Sequence, residues 1–245
     1  MTVSGSTDEG TDLVLRPAAS DDAATLADLF IAAREAAYPS MPHSVHTVEE
    51  THEWFRGLLA GGRETWVAEQ AGGVVGYLVL DPAWLDSVYV RRDLVGRGIG
   101  SVLLDLAKSL RPEGFGLWVF QSNEGAQRFY RRHGLVEIRR TDGADNEEHE
   151  PDIEMAWLGT DPVSALRRRV DAVDEELASL LDRRALLTAL IQGQKEVPGH
   201  EGRDPRREAE IATRMAQAAP HLGQDRIGRI MHVVITESLD AAQDS

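Results

Sequence analysis

The sequence predicts a β-rich α/β domain that is followed by an all-α region. Short apolar runs typical of strands recur between residues 13 and 158, with helical patterns between them. Beyond Pro162, apolar residues recur at helical spacing only. A polar turn at 159–162 separates the two patterns, and 245 residues exceed the usual size of one domain. We therefore expect a first domain over 12–158, a linker over 159–162 and a second domain over 163–245.

Local signals place the first elements in order. LVLRPA predicts a strand, and the SDD sequence at 20–22 is typical of the start of a helix, which should end near Pro39. TVEETHEWFRGLLAGG predicts a second helix closed by glycines. ETWVAEQ and VVGYLVL flank a turn at 71–73 and therefore predict a β-hairpin.

The remaining elements follow from the same patterns. We expect strands at WLDSVYVRR, GLWVFQS, LVEIRRT and IEMAWL, and helices at GIGSVLLDLAKSL and GAQRFYRRHG. GADNEEHEPD is polar and predicts a loop before the last strand. The second domain should contain helices at about 163–196, 204–219 and 222–242, the first of them with an apolar packing stripe.

Composition and charge exclude several classes of function. The chain is 42% hydrophobic and 27% charged, as in an ordinary globular protein. It has no cysteine, which excludes disulfides and thiolate nucleophiles, and no metal site is expected. The net charge of −15 argues against nucleic acid as a partner. The N-terminus MTVSGSTDEGTD lacks a signal peptide and no long apolar run is present, so we expect a cytoplasmic protein with no membrane partner.

A glycine-rich loop, Val95-Gly96-Arg97-Gly98-Ile99-Gly100, follows a predicted strand and opens a predicted helix. Glycines in this context let backbone N–H groups approach a phosphate, and helix N-termini favour anions. The alternative is a tight strand-to-helix turn with no ligand.

The surroundings of this loop, WLDSVYVRRDLVGRGIGSVLLDLAK followed by LWVFQSNEGAQRFYRRHGLVEI, resemble the GNAT family of acetyl-CoA-dependent N-acetyltransferases over residues 12–158. The resemblance implies a mixed, mostly antiparallel central sheet and acetyl-CoA as the cofactor. It implies that the loop holds the CoA pyrophosphate and that a backbone N–H of the splayed strand polarises the thioester carbonyl. Where the family has Gln or Arg, this chain has Val95. The cofactor-binding residues implied are Val88, Val90, Val95, Gly96, Arg97, Gly98, Ile99, Gly100 and Asn123.

Tyr130 matches the family's tyrosine that protonates the departing thiolate. On one helix, Asn123 and Tyr130 would lie within about 20° of the same face. The alternatives are a helix cap for Asn123 and a core aromatic for Tyr130. A base must also remove a proton from the amine substrate. The carboxylates available for this are Asp86 on the strand and Glu147, Glu148 and Asp152 in the acidic loop, unless that loop is merely solvated.

The second domain carries regularly spaced cations. Arg184 and Lys195 are eleven residues apart, which on one helix is about 20° from the same face. Arg167 would point about 100° away from that face, which fits a role in another chain. Surface cations are common on helices, but such a face suits a small polyanion.

The segment LRRRVDAVDEELASLLDRRALLTALIQGQKEVPGHEGRDPRRE resembles the helical, AroQ-class chorismate mutases over about 163–243. The resemblance implies an intertwined homodimer of three-helix subunits that rearranges chorismate to prephenate without a cofactor. It implies that Lys195 donates to the ether oxygen, that arginines bind the two carboxylates, Arg167 from the partner subunit, and that Glu208 holds a hydroxyl. The positions that match the family's site are Arg167, Arg184, Lys195, Asp204, Arg207, Glu208 and Ser238.

One position departs from that family. Four residues after Ser238, where Gln or Glu is common, this chain has Ala242. Gln243 is about 100° further round the helix, so it is a candidate substrate-binding residue that reaches the site only if the last helical turn is distorted. Losing such a donor costs on the order of 10²-fold or more in rate. We expect a bifunctional enzyme that also acetylates an unidentified amine. The alternatives for the second domain are an isochorismate pyruvate lyase, a mutase of an aminated chorismate, or a non-catalytic dimerisation or sensing module.

Overall fold

The computed structural model describes residues 13–195, 197 and 199–243, so the N-terminal segment used to judge a signal peptide lies outside the described residues. The chain divides into two compact units, Met1–Leu166 and Arg167–Ser245. An α/β unit followed by a helical one confirms the expected fold class. No helix in the described part is long and apolar enough to cross a membrane.

The first unit contains two antiparallel sheets. Numbered along the chain, the strands lie side by side in the order β1-β2-β3-β4 in one sheet and β5-β7-β6 in the other. The hairpin expected around 71–73 is present, with Glu64 of β2 opposite Leu80 of β3. The strands are β1 (Val14–Pro17), β2 (Glu64–Gln70), β3 (Gly73–Leu80), β4 (Leu85–Val90), β5 (Phe115–Phe120), β6 (Val136–Arg140) and β7 (Asp152–Trp157).

Helices cover both faces of the first sheet. On one face, α1 (Ala23–Ala37) and α2 (Val48–Ala60) bury Leu26 and Phe55 against Tyr77 of β3. On the other face, α3 (Ile99–Leu110) and α4 (Glu124–Arg132) join a larger core with residues of both sheets. Alternate residues of β3 enter the two cores because successive side chains of a strand point to opposite faces.

The two sheets of this unit meet at β4 and β5. Trp84 and Gly116 form an isolated parallel bridge at the start of these strands. Within the described residues β4 and β5 form no further bridge. The β5 side of β4 is therefore unpaired beyond Trp84, and this unpaired stretch is the gap between the two sheets.

The second unit contains most of α5 (Pro162–Gln192), with α6 (Pro205–Ala218) and α7 (Gly223–Gln243). A small core of Ala212 from α6 and Ile227, Met231, Ile235 and Leu239 from α7 joins the last two helices. In contrast, α5 leaves its apolar stripe exposed, with Leu180 and Leu187 at 61% and 51%.

Helix α5 ends at Gln192, whereas the periodicity predicted a helix to about residue 196. Gly193 follows directly, and glycine in a helix interior costs about 1 kcal/mol relative to alanine. Lys195 therefore lies just beyond the helix, in the segment that leads to a short 3-10 turn at His200–Gly202.

Candidate active sites

The glycine loop leads from β4 into α3. A 3-10 turn covers Arg92–Leu94, and α3 begins at Ile99 with Gly98 as its N-cap residue. Gly96 and Gly98 have φ angles of 84° and 88°, in the left-handed region that favours glycine. The first N–H groups of α3 have no partner within the helix and form its positive end. The loop therefore fits a phosphate group.

Helix α4 lies beside this loop. A Cβ atom on Gly100 would be 3.5 Å from Cζ of Phe129 on α4. Asn123 Oδ1 accepts a hydrogen bond from the Ala126 backbone N–H at 3.0 Å and so caps α4. Asn123 thus has the role of a helix cap, the alternative that the sequence left open.

Tyr130 lies on α4 and is buried in the larger core. Its ring meets that of Phe129 edge-on, with 5.3 Å between centroids. Burial, and secondarily Tyr89 of β4, raises the pKa of the Tyr130 hydroxyl above its usual value. The hydroxyl therefore stays protonated at alkaline pH, as a general acid must. Val88 and Val90 of β4 pack against the same core as Tyr130.

The middle of β4 offers backbone groups to the gap. Val88 pairs with Leu78 of β3 and Val90 with Gly76, and β4 is the edge strand of its sheet. Alternate N–H groups of an edge strand point away from its neighbour. Backbone donors around Val88 and Val90 are therefore available on the side that faces β5.

Asp86 lies on β4, two residues before Val88. Its carboxylate accepts a hydrogen bond from Ser87 Oγ at 3.2 Å and lies 3.8 Å from Arg63 Nη1. Burial raises the pKa of Asp86, and the nearby Ser87 and Arg63 only partly offset this. A carboxylate with a raised pKa is a better proton acceptor.

The acidic residues of the β6–β7 loop have different environments. Glu148 pairs with Arg34 of α1 at 2.7 Å, and both side chains are largely buried. Glu147 pairs with His46 at 2.8 Å and is exposed. Asp152 is buried and accepts hydrogen bonds from two side chains of its own loop. Asp152 thus orders the loop, and the loop is tied to α1 rather than merely solvated.

A polar cluster on the α1 face was missed from the sequence. Arg34 Nε and the Tyr77 hydroxyl are buried and have no hydrogen-bond partner among the described residues. Tyr89 stacks on Tyr77 with 5.7 Å between centroids, and burial raises the pKa of Tyr89 to about 12. Buried polar atoms without partners are uncommon, so this cluster is a candidate contact for an acceptor molecule. The available signal was an arginine among apolar positions of α1.

In the second unit, α5 and α7 meet through Arg184. Its Nη1 donates to Ser238 Oγ at 2.7 Å and to the Val234 carbonyl at 3.2 Å. Burial lowers the pKa of Arg184. Among the described residues no carboxylate pairs with it, so the structure brings together two predicted site residues around an uncompensated cation.

Lys195 and Gln243 both contact the segment between α5 and α6. Lys195 Nζ donates to the Gly202 carbonyl at 2.9 Å, and its side chain is exposed. A Cβ atom on Gly199 would lie 2.5 Å from Gln243 Nε2. Helix α7 runs through Ala242 to Gln243. Gln243 thus reaches this segment from a helical position.

The acidic positions of α6 have clear partners. Asp204 caps α6 by accepting from the Arg206 and Arg207 backbone N–H groups. Glu208 is held by Arg203, which donates two hydrogen bonds of 2.7 Å to its carboxylate and lowers its pKa. Sequence reasoning missed Arg203.

The structure does not bring the other two predicted cations to this site. Arg207 is exposed and lies 3.7 Å from Glu210 on its own helix. Arg167 is also exposed.

Two family sequence profiles match the chain. Residues 61–137 match the acetyltransferase (GNAT) domain, and residues 166–243 match chorismate mutase type II. The first match lies within the first unit of the chain, and the second match covers nearly all of the second unit. The first unit therefore carries a segment that matches the GNAT acetyltransferase domain and the second a segment that matches type II chorismate mutase, as the sequence predicted.

Similar proteins support the acetyltransferase match of the first unit. The chain is 30% identical over 95 residues to the peptidyl-lysine N-acetyltransferase YjaB of Escherichia coli K12, which is 38% of this chain and 64% of that protein. The solution structure of apo YjaB has 24% identity and a TM-score of 0.51, over 61% of this chain and 99% of YjaB, which shows the fold.

Two further solved structures have the same fold. A GCN5-related N-acetyltransferase from Rhodopseudomonas palustris has 25% identity and a TM-score of 0.51, over 61% of this chain and 97% of its own. The yncA structure from Salmonella typhimurium, which contains its cofactor acetyl-CoA, has 16% identity and a TM-score of 0.50, over 62% of this chain and 96% of its own.

Proposed function

We propose that the chain is a bifunctional enzyme. The second unit rearranges chorismate to prephenate, and the first transfers an acetyl group from acetyl-CoA to an amine. The observation that carries the mutase proposal is Arg184, a partly buried cation that touches Ser238 and has no carboxylate partner among the described residues. A cytoplasmic location, the domain boundaries and the site residues remain predictions from the sequence.

In the acetyltransferase unit, the backbone of Gly96 to Gly100 would hold the pyrophosphate of acetyl-CoA, the co-substrate that supplies the activated acetyl group. This is supported by the two left-handed glycines and by the N-terminus of α3 that follows them. A β4 N–H near Val88 to Val90 would polarise the carbonyl. Asp86 or Glu148 would take the amine's proton, directly or through water, and Tyr130 would protonate the leaving sulfur.

For the acceptor we propose a lysine side chain of a polypeptide. YjaB is named as a peptidyl-lysine N-acetyltransferase, and this chain resembles it over 95 residues. The acidic excess of the first 159 residues, with 26 Asp and Glu against 14 Lys and Arg, favours a cationic acceptor. Incubation with acetyl-CoA and lysine-containing peptides should release CoA. Release with free small amines but with no peptide would contradict this acceptor class.

In the mutase unit, chorismate breaks a C–O bond and forms a C–C bond within one molecule, so no nucleophile or cofactor is needed. Positioning and charge stabilisation supply the catalysis. Arg184, with Arg207 and the partner subunit's Arg167, would bind the two carboxylates. Lys195 would donate to the ether oxygen, with Gln243 beside the same segment. Glu208, oriented by Arg203, would accept from the substrate hydroxyl.

We also propose a homodimer formed through α5. The stripe that includes Leu180 and Leu187 is exposed along a helix of 31 residues. An exposed apolar stripe of this length needs a partner. A groove of about 690 Å³ between α6 and α7, lined by Ala212 and Val233 among others, is a second apolar surface available for a partner helix.

The deciding experiment follows chorismate loss and identifies the product. Prephenate as the main product supports the proposal. Release of pyruvate from isochorismate, supplied in a parallel reaction, would instead indicate the lyase. Ala242, at the usual Gln or Glu position, favours one alternative, a non-catalytic module. A chain that leaves chorismate unchanged, but whose acetyl transfer responds to chorismate or to an aromatic amino acid, would support that alternative.

A further inference from the structure

Lysine is almost absent from this chain. Of its 26 Lys and Arg residues, two are lysines, Lys108 and Lys195. An arginine side chain stays protonated, whereas a lysine amine can lose its proton and is the usual target of acetylation. Apart from the terminal amine, the chain therefore offers two acetyl acceptors.

Lys108 is held in place within the first unit. Its Nζ donates to the His133 carbonyl at 2.7 Å, and its side chain is 20% exposed. The same Nζ lies 5.9 Å from the centre of the Trp157 ring. Acetylation of Lys108 would break these contacts, so this amine is poorly available for transfer.

Lys195 is in the opposite situation. Its side chain is exposed, and its Nζ donates a hydrogen bond to the Gly202 carbonyl. It lies between the end of α5 at Gln192 and the turn at His200–Gly202, outside regular secondary structure. A lysine in such a segment can be presented to an enzyme without unfolding a helix or strand.

Charge also favours this lysine as an acceptor. The first 159 residues carry 14 Lys and Arg against 26 Asp and Glu. The first unit is therefore net negative, and Asp86 of β4 and Glu147 of the β6–β7 loop belong to this acidic excess, beside Arg63 and His46. Complementary charge accelerates the encounter of a cationic side chain with such a surface.

We propose that Lys195 is acetylated by the acetyltransferase unit of this protein, from the same copy or a second one, and that this stops the mutase. The proposal rests on the proposed function of both units. In the step, deprotonated Nζ of Lys195 forms a bond to the acetyl carbon, and the bond from that carbon to the CoA sulfur breaks. The lysine ammonium first loses one proton to solvent through a base. As the amide forms, its nitrogen loses a second proton, which balances the proton that the sulfur takes from Tyr130, and CoA leaves as the thiol.

Acetylation of Lys195 removes a charge and leaves one N–H donor where there were three. The stabilisation of the ether oxygen in the transition state would then be lost. Fully acetylated protein should lose at least ~10²-fold in the rate of chorismate rearrangement.

The experiment incubates the full chain with acetyl-CoA and follows three readouts: intact mass, the acetylated peptide and the mutase rate. We expect one acetyl group, mapped to Lys195, and a mutase rate that falls in proportion to the modified fraction. Lys195→Arg should gain no acetyl group on a side chain. Lys108→Arg is the matched control and should gain one, with the same loss of mutase rate. Tyr130→Phe should acquire the mark far more slowly.

Three results would overturn the inference: no mass gain, a mark on Lys108 or the N-terminus alone, or equal labelling of Tyr130→Phe although that variant acetylates lysine peptides slowly, which indicates chemical acetylation. Retained mutase activity in fully acetylated protein would show that acetylation of Lys195 does not stop the mutase. CoA release with lysine peptides, measured in parallel, keeps the two proposals apart. Peptide acetylation without self-acetylation would leave the proposed function intact and the inference wrong.

Discussion

A partly buried guanidinium is stable only if something compensates its charge, and Arg184 has only a hydroxyl and a carbonyl for this purpose. By contrast, Arg203 has the carboxylate of Glu208, which raises the pKa of Arg203. The difference separates an arginine that organises the protein from one that is available to an anion. The resemblance of the sequence to known mutases marked Arg184, but only the packing of α5 on α7 distinguishes the two roles.

The first prediction concerns the donors to the ether oxygen. Lys195→Ala should abolish rearrangement of chorismate, because the donor is lost where negative charge builds up in the transition state. Ala242→Gln should raise the rate by adding a donor one helical position from Gln243. Arg206→Ala is the matched control, since this exposed cation pairs with Glu210 on its own helix and its loss should leave the rate unchanged. Steady-state rates with chorismate as substrate test this prediction. Wild-type turnover in Lys195→Ala would show that Lys195 is not the donor to the ether oxygen.

The second prediction concerns Tyr130. Tyr130→Phe should lower kcat for acetyl transfer by about 10²-fold or more and leave CoA affinity nearly unchanged, because it removes a proton donor and keeps the ring in the core. Calorimetry with CoA and CoA-release rates separate the two effects. Equal rates in the two proteins would leave Tyr130 with the core role alone.

At the level of helices and strands, the sequence predicted the features that depend on neighbouring residues. The hairpin at 71–73 and the glycine loop are set by turn chemistry within a few residues, and both appear where expected. The end of α5 was placed four residues too late because Gln194, Lys195 and Glu196 are residue types that favour helix, while Gly193 stops the helix. The pair of Arg34 and Glu148 joins residues far apart in sequence, so no local pattern could reveal it.

The third prediction concerns the glycine loop. Gly98→Ala should weaken CoA binding and cost about 1 kcal/mol of folding free energy, because its φ of 88° is strained for a residue with a Cβ atom. Gly57→Ala in α2 is the control, since its Cβ would meet nothing within 4 Å and its φ is not left-handed. It should bind CoA normally and gain some stability. Calorimetry measures the CoA affinity of each variant, and thermal unfolding measures its stability. Equal CoA affinity in the two variants would argue against the loop as the phosphate site.

At the scale of the molecule, the exposed stripe of α5 is the main unsatisfied surface. We expect the full chain to sediment as a dimer, because association buries residues such as Leu180 and Leu187. Leu180→Glu should shift the chain to a monomer and lower mutase activity with it. Val136→Glu is the control, since Val136 is 41% exposed in the first unit and its replacement should leave the dimer intact. A wild-type chain that sediments as a monomer would contradict the proposed interface.

The last prediction tests whether the two subunits share their mutase sites. Arg167 is exposed on α5, and among the described residues no hydrogen bond or ion pair links it to a predicted site residue, whereas Lys195 lies beyond the other end of that helix. If Arg167 completes the partner's site, Arg167→Ala and Lys195→Ala should each be inactive as homodimers.

Mixed dimers of the two variants, however, would contain one site with both native residues. Unfolding and refolding an equal mixture should then restore about a quarter of wild-type chorismate mutase activity, because half of the dimers are mixed and each has one intact site of two. Refolded wild type corrects for losses in the procedure. If the refolded mixture contains mixed dimers but is inactive, Arg167 serves its own subunit. The intertwined arrangement would then be wrong.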